Sequence, residues 1–262
     1  MCLIAFCFSP DSARHLLLAA NRDEFHDRPA RPMAWWGEQG TWLAGRDERA
    51  GGTWLAIGRD GRWSAVTNFR DPRAGPGARS RGELPLAFLS GQSTPADYAR
   101  AVHLERTRYA PFNLLAGDAQ SLWYCSTHRP AQPVQPGVHA LSNGVLDEPW
   151  PKSRRIAGAL RGLLNRAGVV EPDQLFSLMD DRQPGDDEAL PNTGVGLDHE
   201  RLLSPPFIVS PRYGTRCSTV LCLGEQNLAA ERRFGTEGEP LGQLVYHWPG
   251  KLQGVRGEIG QA

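Results

Sequence analysis

Met1-Cys2-Leu3-Ile4-Ala5-Phe6-Cys7-Phe8, a turn at Pro10-Asp11, and then His15-Leu16-Leu17-Leu18-Ala19-Ala20-Asn21-Arg22-Asp23-Glu24 open the chain. The first run is short and apolar, as a buried strand is. The second reads as a strand from His15 to Asn21 that ends abruptly in charge. Turn residues between two such runs make a hairpin with a longer loop. Paired antiparallel, the start of one strand carries Cys2 close to Asn21 at the end of the other. Side chains alternate along a strand, so Asn21 and Asp23 share one face and Arg22 and Glu24 the other.

The same pattern recurs downstream. Residues 53–57 and 62–68 flank Gly58-Arg59-Asp60-Gly61, a hairpin turn by composition. Residues 112–116 and 121–125 flank Gly117-Asp118, and residues 138–142 make a short strand that ends at Asn143. Residues 206–210, 216–223, 227–234 and 243–248 read as the closing strands. Helices fall between these groups. Ser80-Arg81-Gly82-Glu83 has the form of a capping box, limited by Pro85 close behind. Thr94-Pro95-Ala96-Asp97 starts a second helix, with Thr as cap and Pro at the first helical position. The clearest helix spans 151–167: Ile156, Ala159, Leu160, Leu163, Leu164 and Ala167 form one apolar stripe, and Gly168 stops it. Residues 174–179 are helical, and 180–196 read as a loop. Strands that come in hairpins rather than alternating singly with helices predict an α+β fold with antiparallel sheets, not a doubly wound parallel sheet. No repeat or linker interrupts residues 1–250, which read as one domain, with residues 251–262 as a C-terminal tail.

Composition narrows the function classes. The 262 residues carry 29 basic and 29 acidic side chains, a formal net charge of zero, which argues against nucleic acid as a partner. Hydrophobic residues make up 40% and charged residues 22%, the balance of a globular chain. No apolar run approaches the roughly 20 residues of a transmembrane helix, and the N-terminus lacks a basic n-region, so a cytoplasmic protein is expected. The five cysteines are odd in number and widely spaced, which speaks against a disulfide framework. The seven histidines show no metal-ligand spacing, so no metal is expected. Glycine-rich phosphate loops and the Gly-x-Ser-x-Gly elbow are absent, and no cofactor is required by any motif. Five of the eight tryptophans, Trp35, Trp36, Trp42, Trp54 and Trp63, fall in one window. Sheet packing accounts for them, with a ligand-stacking box as the alternative. Arg70, Arg73, Arg79 and Arg81 form one basic cluster in a Gly/Pro-rich stretch, either a solvated loop or a face for an anionic ligand.

Cys2 stands out by position. A small residue after Met1 permits removal of the initiator methionine, which would leave cysteine with a thiol and a free α-amine. The amine titrates near pH ~8 and can act as base; the thiol titrates near ~8.5. Nucleophile and base then sit on one residue. The plain alternative is a buried free cysteine on a strand. Asp23, near Cys2 in a hairpin, could hold the amine or thiol. Asn68, Asn143 and Arg216 lie where strands begin or end; asparagine amides can stabilise an oxyanion and arginine can fix a nucleophile's surroundings, whereas each taken singly reads as a turn residue.

These pieces in combination resemble a known family. Met1-Cys2-Leu3-Ile4, Ala19-Ala20-Asn21-Arg22-Asp23-Glu24-Phe25 with Arg28-Pro29, Ala44-Gly45-Arg46-Asp47, Gly51-Gly52-Thr53-Trp54-Leu55, Thr67-Asn68-Phe69-Arg70-Asp71-Pro72, Ser80-Arg81-Gly82-Glu83-Leu84, Phe112-Asn113-Leu114-Leu115, Leu141-Ser142-Asn143 with Trp150-Pro151-Lys152, and Tyr213-Gly214-Thr215-Arg216 run in order to about Val220. On them the chain is identified as a member of the transport and Golgi organisation family, named for its Asn-Arg-Asp-Glu motif. That family is similar to N-terminal nucleophile hydrolases of the penicillin V acylase and bile salt hydrolase kind. The resemblance implies a four-layer αββα sandwich. It implies Cys2 as nucleophile, Asp23 beside it, Asn68 and Asn143 at the oxyanion, and Arg216 supporting the thiol, acting on an amide or related acyl bond. One departure is visible: those hydrolases carry an arginine shortly before the aspartate, where this chain has Ala20, and Arg22 is expected to face away from Asp23. The resemblance also links the family to haem trafficking and acyl-CoA or lipid handling. A non-catalytic carrier is therefore the alternative, with haem or an acyl ligand as partner and Arg22, Trp54, Arg70 and Arg81 as candidate ligand-binding residues.

Overall fold

The structure, a computed structural model, describes residues 2–166 and 168–250. Ala167, the expected end of the long helix, and the expected tail 251–262 lie outside the described residues. In chain order the strands β1 (Cys2–Phe8) and β2 (Leu16–Phe25) open the chain. They are followed by β3 (Ala30–Trp36), β4 (Trp42–Asp47), β5 (Leu55–Gly58) and β6 (Trp63–Asn68). Two helices, α1 (Leu84–Ser90) and α2 (Pro95–Leu104), precede β7 (Phe112–Gly117), β8 (Leu122–Ser126), β9 (Gln132–Pro133) and β10 (Gly137–Leu141). Then come α3 (Pro151–Asn165), α4 (Pro172–Met179), α5 (Leu197–Leu202), β11 (Tyr213–Leu223), β12 (Gln226–Phe234) and β13 (Pro240–Pro249).

The named strands form two antiparallel sheets, in the orders β10-β1-β2-β11-β12-β13 and β3-β4-β5-β6-β7-β8-β9. Alternation along each strand sorts the side chains into layers. Ile4, Phe6, Leu18 and Leu221 of the first sheet meet Leu43, Ile57, Trp63 and Leu115 of the second in a common core. The opposite face of the first sheet, Leu3, Ala5, Leu17 and Ala19, packs on Ile156, Leu160 and Leu163 of α3 and on Leu175 and Phe176 of α4. The outer face of the second sheet, Val66, Phe112, Leu114 and Cys125, packs on Leu84 of α1 and Ala99 and Val102 of α2. This is a four-layer αββα sandwich of α+β class, as expected. No helix among the described residues is long and apolar enough to cross a membrane.

Local expectations fared unevenly. The Thr94 cap accepts from Asp97 N, and Gly61 adopts φ 83° in the β5–β6 turn. At the expected capping box, Ser80 accepts from Gly82 N, but Glu83 bonds Tyr109 instead of reaching back, so only half the box exists. The second strand runs to Phe25, not Asn21: the charged residues are inside it because β11 pairs with them, Thr215 opposite Asp23 and Gly214 opposite Glu24. Residues 206–210 are not a strand. Pro206 has no N–H to offer a ladder, and the Ile208 N–H is taken by Thr215 Oγ1 at 2.9 Å. The short β9 and α5 have no strong periodicity and were not expected.

Candidate active site

β1 pairs with β2 so that Cys2 lies opposite Arg22, and β11 pairs with β2 so that Cys217 lies opposite Arg22 from the other side. Cross-strand partners share a face, so Cys2, Arg22 and Cys217 form one row directed between the two sheets. A cavity of about 320 Å³ opens there, lined by Cys2, Arg22, Glu24, Trp54, Asn68 and Arg81 among others. Arg22 does face away from Asp23, as alternation requires, and the side it faces is that of Cys2. Its guanidinium lies over the Trp54 ring, 4.3 Å from the centroid. Trp54 is seated by Gly45, where any Cβ would lie 2.3 Å from the indole.

Asp23 occupies the helix-side face. Thr215 Oγ1 donates to its Oδ1 at 2.7 Å. Burial pushes the Asp23 carboxyl up, opposed by the Lys152 ammonium and the Thr215 hydrogen bond. Burial likewise brings the Lys152 amine down to about 8; its Nζ donates to Leu203 O at 3.0 Å. Asn21 is saturated: its Nδ2 donates to Met179 O and Pro206 O, and its Oδ1 accepts from Ser218 Oγ at 2.6 Å. It fastens the end of α4 to the sheet. Burial raises the Cys2 thiol pKa, and Asp23 adds to this while Arg22 opposes it.

The remaining expected residues divide. Asn68, at the end of β6, lines the Cys2 cavity. Asn143 does not line it; its Nδ2 donates to Asn68 O at 2.8 Å, so it holds the strand end that carries Asn68. Thr67 Oγ1 donates to Ser142 O at 2.7 Å and reinforces that clamp. Arg216 is also absent from the cavity wall: its Nη1 donates to the carbonyls of Phe25 and His26 at 2.9 and 3.0 Å, fastening the turn after β2. Of the two arginines, Arg22 is the one beside the thiol. The basic cluster disperses. Arg70 is buried in an ion pair with Glu200, over the Trp150 ring, and does not line the cavity; Arg73 is exposed; Arg79 pairs with Glu83; Arg81 faces the cavity. The tryptophans do not form one box. Trp63 is core, Trp35 packs on Trp248, Trp36 on Trp42, and only Trp54 lines the Cys2 cavity.

Sequence reasoning missed Glu24, Arg28 and Asp47 as cavity residues. Arg28 Nε bonds Asp47 Oδ2 at 2.6 Å, and Asp47 Oδ1 accepts from the Arg49 and Ala50 amides. The family-matching pieces Arg28-Pro29 and Ala44-Gly45-Arg46-Asp47 were the available signal. A second, more apolar cavity of about 660 Å³ adjoins the first and shares Glu24 and Asn68 with it; Phe25, Leu202, Leu203 and Tyr213 line it. Among the described residues no three of His, Cys, Asp and Glu gather as metal ligands.

The family model of Transport and Golgi organisation 2 matches residues 1–234. The chain belongs to this family. Within the family, the Transport and Golgi organization protein 2 homolog of Bos taurus is 34% identical over 242 residues, covering 84% of this chain and 88% of the relative. The Homo sapiens homolog is 31% identical over the same shares, and the Drosophila melanogaster protein is 25% identical over 87% of this chain and 89% of its own. Two solved structures show the same fold at 9% identity. One is a Caenorhabditis elegans N-acylethanolamine-hydrolyzing acid amidase ortholog, with TM-score 0.52, covering 84% of this chain and 92% of that one. The other is a mutant conjugated bile acid hydrolase from Clostridium perfringens, with TM-score 0.51, covering 95% and 92%. This member of the Transport and Golgi organisation 2 family therefore has the fold of N-terminal nucleophile hydrolases.

Proposed function

We propose that this chain is an N-terminal-nucleophile amidohydrolase or acylase with Cys2 as nucleophile. The observation that carries the reading is the place of Cys2: first residue of a central strand, directed into a polar cavity, with Arg22 opposite and Asn68 on the wall. With Met1 removed, the Cys2 α-amine takes the thiol proton as Sγ attacks the acyl carbon. Arg22 favours the thiolate against the burial that opposes it. The Asn68 side chain is the oxyanion donor, positioned by Asn143; Asp23 holds the amine. The C–N or related bond breaks, the leaving group takes the proton from the ammonium, and water hydrolyses the thioester to a carboxylate. Fold likeness to two hydrolases supports the reading by analogy.

Two measurements test it. Intact mass should show the chain without Met1, and a β-lactone acylating probe should label Cys2 and leave the Cys2→Ala variant unlabelled. Retained Met1, or labelling that survives Cys2→Ala, rejects the proposal.

The adjoining apolar cavity favours a second reading, a cytoplasmic carrier that holds an acyl chain or haem without turnover. Its wall includes His199 and Tyr213, side chains of the kind that ligate haem iron. Saturable haem or acyl-CoA binding that Cys2→Ala leaves unchanged, with no product formed, would favour this reading. Binding no tighter than to an unrelated control protein rejects it.

A further inference from the structure

Among the described residues, the cations that line the Cys2 cavity are ion-paired except at one residue. Arg28 lies 2.6 Å from Asp47 and 3.6 Å from Glu24, and Arg22 lies 3.6 Å from Asp47 and 4.0 Å from Glu24. These two cations and two anions form a closed quartet. Arg79 at the rim is taken by Glu83 at 2.6 Å and Glu105 at 3.7 Å. Asp23 also lines the cavity, but its buried carboxyl is bound to the Thr215 hydroxyl at 2.7 Å. Arg81 alone lacks such a partner: its Nη1 donates to Pro111 O at 2.9 Å, and among the described residues no carboxylate stands within ion-pair distance of it.

The backbone holds Arg81 in place. Thr53 N donates to Gly82 O at 2.8 Å, and Gly52 lies so close that a Cβ on it would be 2.3 Å from Gly82 C. Gly77 is pressed on Ala110 in the same way, a Cβ there falling 2.2 Å from Ala110 N. The segment carrying Arg81 is thus clamped at both ends against its neighbours. Burial lowers the Arg81 pKa. A guanidinium nevertheless keeps its charge in proteins. Cys2 and Glu24 oppose that shift from beyond ion-pair distance, and a partly desolvated cation without a directly paired counter-charge is costly unless something completes it.

We propose that Arg81 is the specificity-determining residue of this cavity and anchors an anionic oxygen group of the ligand, a carboxylate or a phosphate, beside Cys2. This rests on the Cys2 cavity being the ligand site. The planar fork matches either anion by paired hydrogen bonds, and its charge is the one in the lining that no carboxylate among the described residues pairs with directly. The ligand then carries its acyl bond at Cys2 and its negative charge toward the segment from Pro76 to Gly82.

The test is equilibrium binding to the full chain with Cys2→Ala, so that turnover plays no part. The probes are N-hexanoylglycine, its neutral amide N-hexanoylglycinamide, and hexyl phosphate. The charged probes should bind at least about tenfold tighter than the amide, the scale of one charge-assisted pair. Arg81→Gln should remove that preference, Arg81→Lys should keep part of it, and added salt should weaken only the charged probes. Preference for N-hexanoylglycine over hexyl phosphate assigns the group to a carboxylate, and the reverse to a phosphate. Should Arg81→Gln fail to fold, Arg81→Lys and the salt series decide. Equal affinity for charged and neutral probes, no measurable binding of either charged probe, or a preference untouched by Arg81→Gln overturns the proposal. Acyl labelling of Cys2 in the unmodified protein is read separately. Labelling without anion preference rejects the anchor alone, and anion preference without labelling rejects the nucleophile alone.

Discussion

Asp23 shows how a buried group depends on the side chains packed around it. Its carboxyl is buried, and the Thr215 hydroxyl that donates to it also accepts the Ile208 amide. Thr215→Val leaves a buried carboxyl and a buried N–H each short of a partner. It should cost about 2–4 kcal/mol of unfolding free energy, read by urea denaturation. Buried thiols set the alkaline limit. Burial pushes Cys125 up to about 12 and Cys222 up to about 11. In the unfolded chain both titrate near the ordinary ~8.5. Their stabilisation is complete below that value. Above it the native chain keeps protons that the unfolded chain has lost, so stability falls by about 1.4 kcal/mol per pH unit for each thiol until the folded values are reached. Lys152, brought down by burial to about 8, acts with opposite sign between there and its ordinary ~10.4. The thiols outnumber it. Urea midpoints measured under reductant should be lower near pH ~10 than near pH ~8, and replacing Cys125 and Cys222 together by alanine should narrow the gap. The residue types were readable in the sequence, but their partners were not. Asn21 looked like the end of a strand, whereas its amide bonds carbonyls 158 and 185 residues downstream.

Elements place these residues, and loops matter as much as strands. Gly52 has ordinary backbone angles but no room for a side chain, because the Gly82 backbone fills the space. Gly52→Ala should therefore cost about 1–3 kcal/mol by overpacking and displace the segment that carries Arg81. Urea denaturation gives the first effect, and weaker N-hexanoylglycine binding gives the second. In α3, Leu160 is fully buried between the helix and the first sheet. Leu160→Ala should cost about 2–5 kcal/mol without altering the cavity. That helix, the hairpins and the Thr94 cap were legible because periodicity and turn chemistry act locally. The length of β2 was not: Arg22, Asp23 and Glu24 look like a charged turn until β11 supplies hydrogen-bonding partners from the far end of the chain. For the same reason residues 206–210 look like a strand, yet the Phe207 amide bonds Asp181 O and the Ile208 amide bonds Thr215 Oγ1, and no ladder forms.

At the scale of the molecule, the two inward faces of the sheets were legible as antiparallel, and the resemblance supplied their stacking. Which side chains meet in the cavity depended on register. Cys2, Arg22, Trp54, Asn68 and Arg81 came together there, while Asn143, Arg216 and Arg70 turned to backbone or to Glu200. β1 lies between β10 and β2, so its first residue opens on the cavity without moving any other strand. A non-removable peptide fused ahead of Met1 should consequently leave the melting temperature nearly unchanged and abolish Cys2 labelling, as mass spectrometry of the labelled chain would show. The row of Cys2, Arg22 and Cys217 has a further consequence under oxidants. Two strand spacings of about 4.8 Å separate the two cysteine Cα atoms by nearly 10 Å. A disulfide needs them within about 7 Å. The arginine between them thus acts as a spacer: peroxide can carry Cys2 to a sulfenic acid or a mixed disulfide with a small thiol, both of which a reductant reverses, but cannot staple it to Cys217.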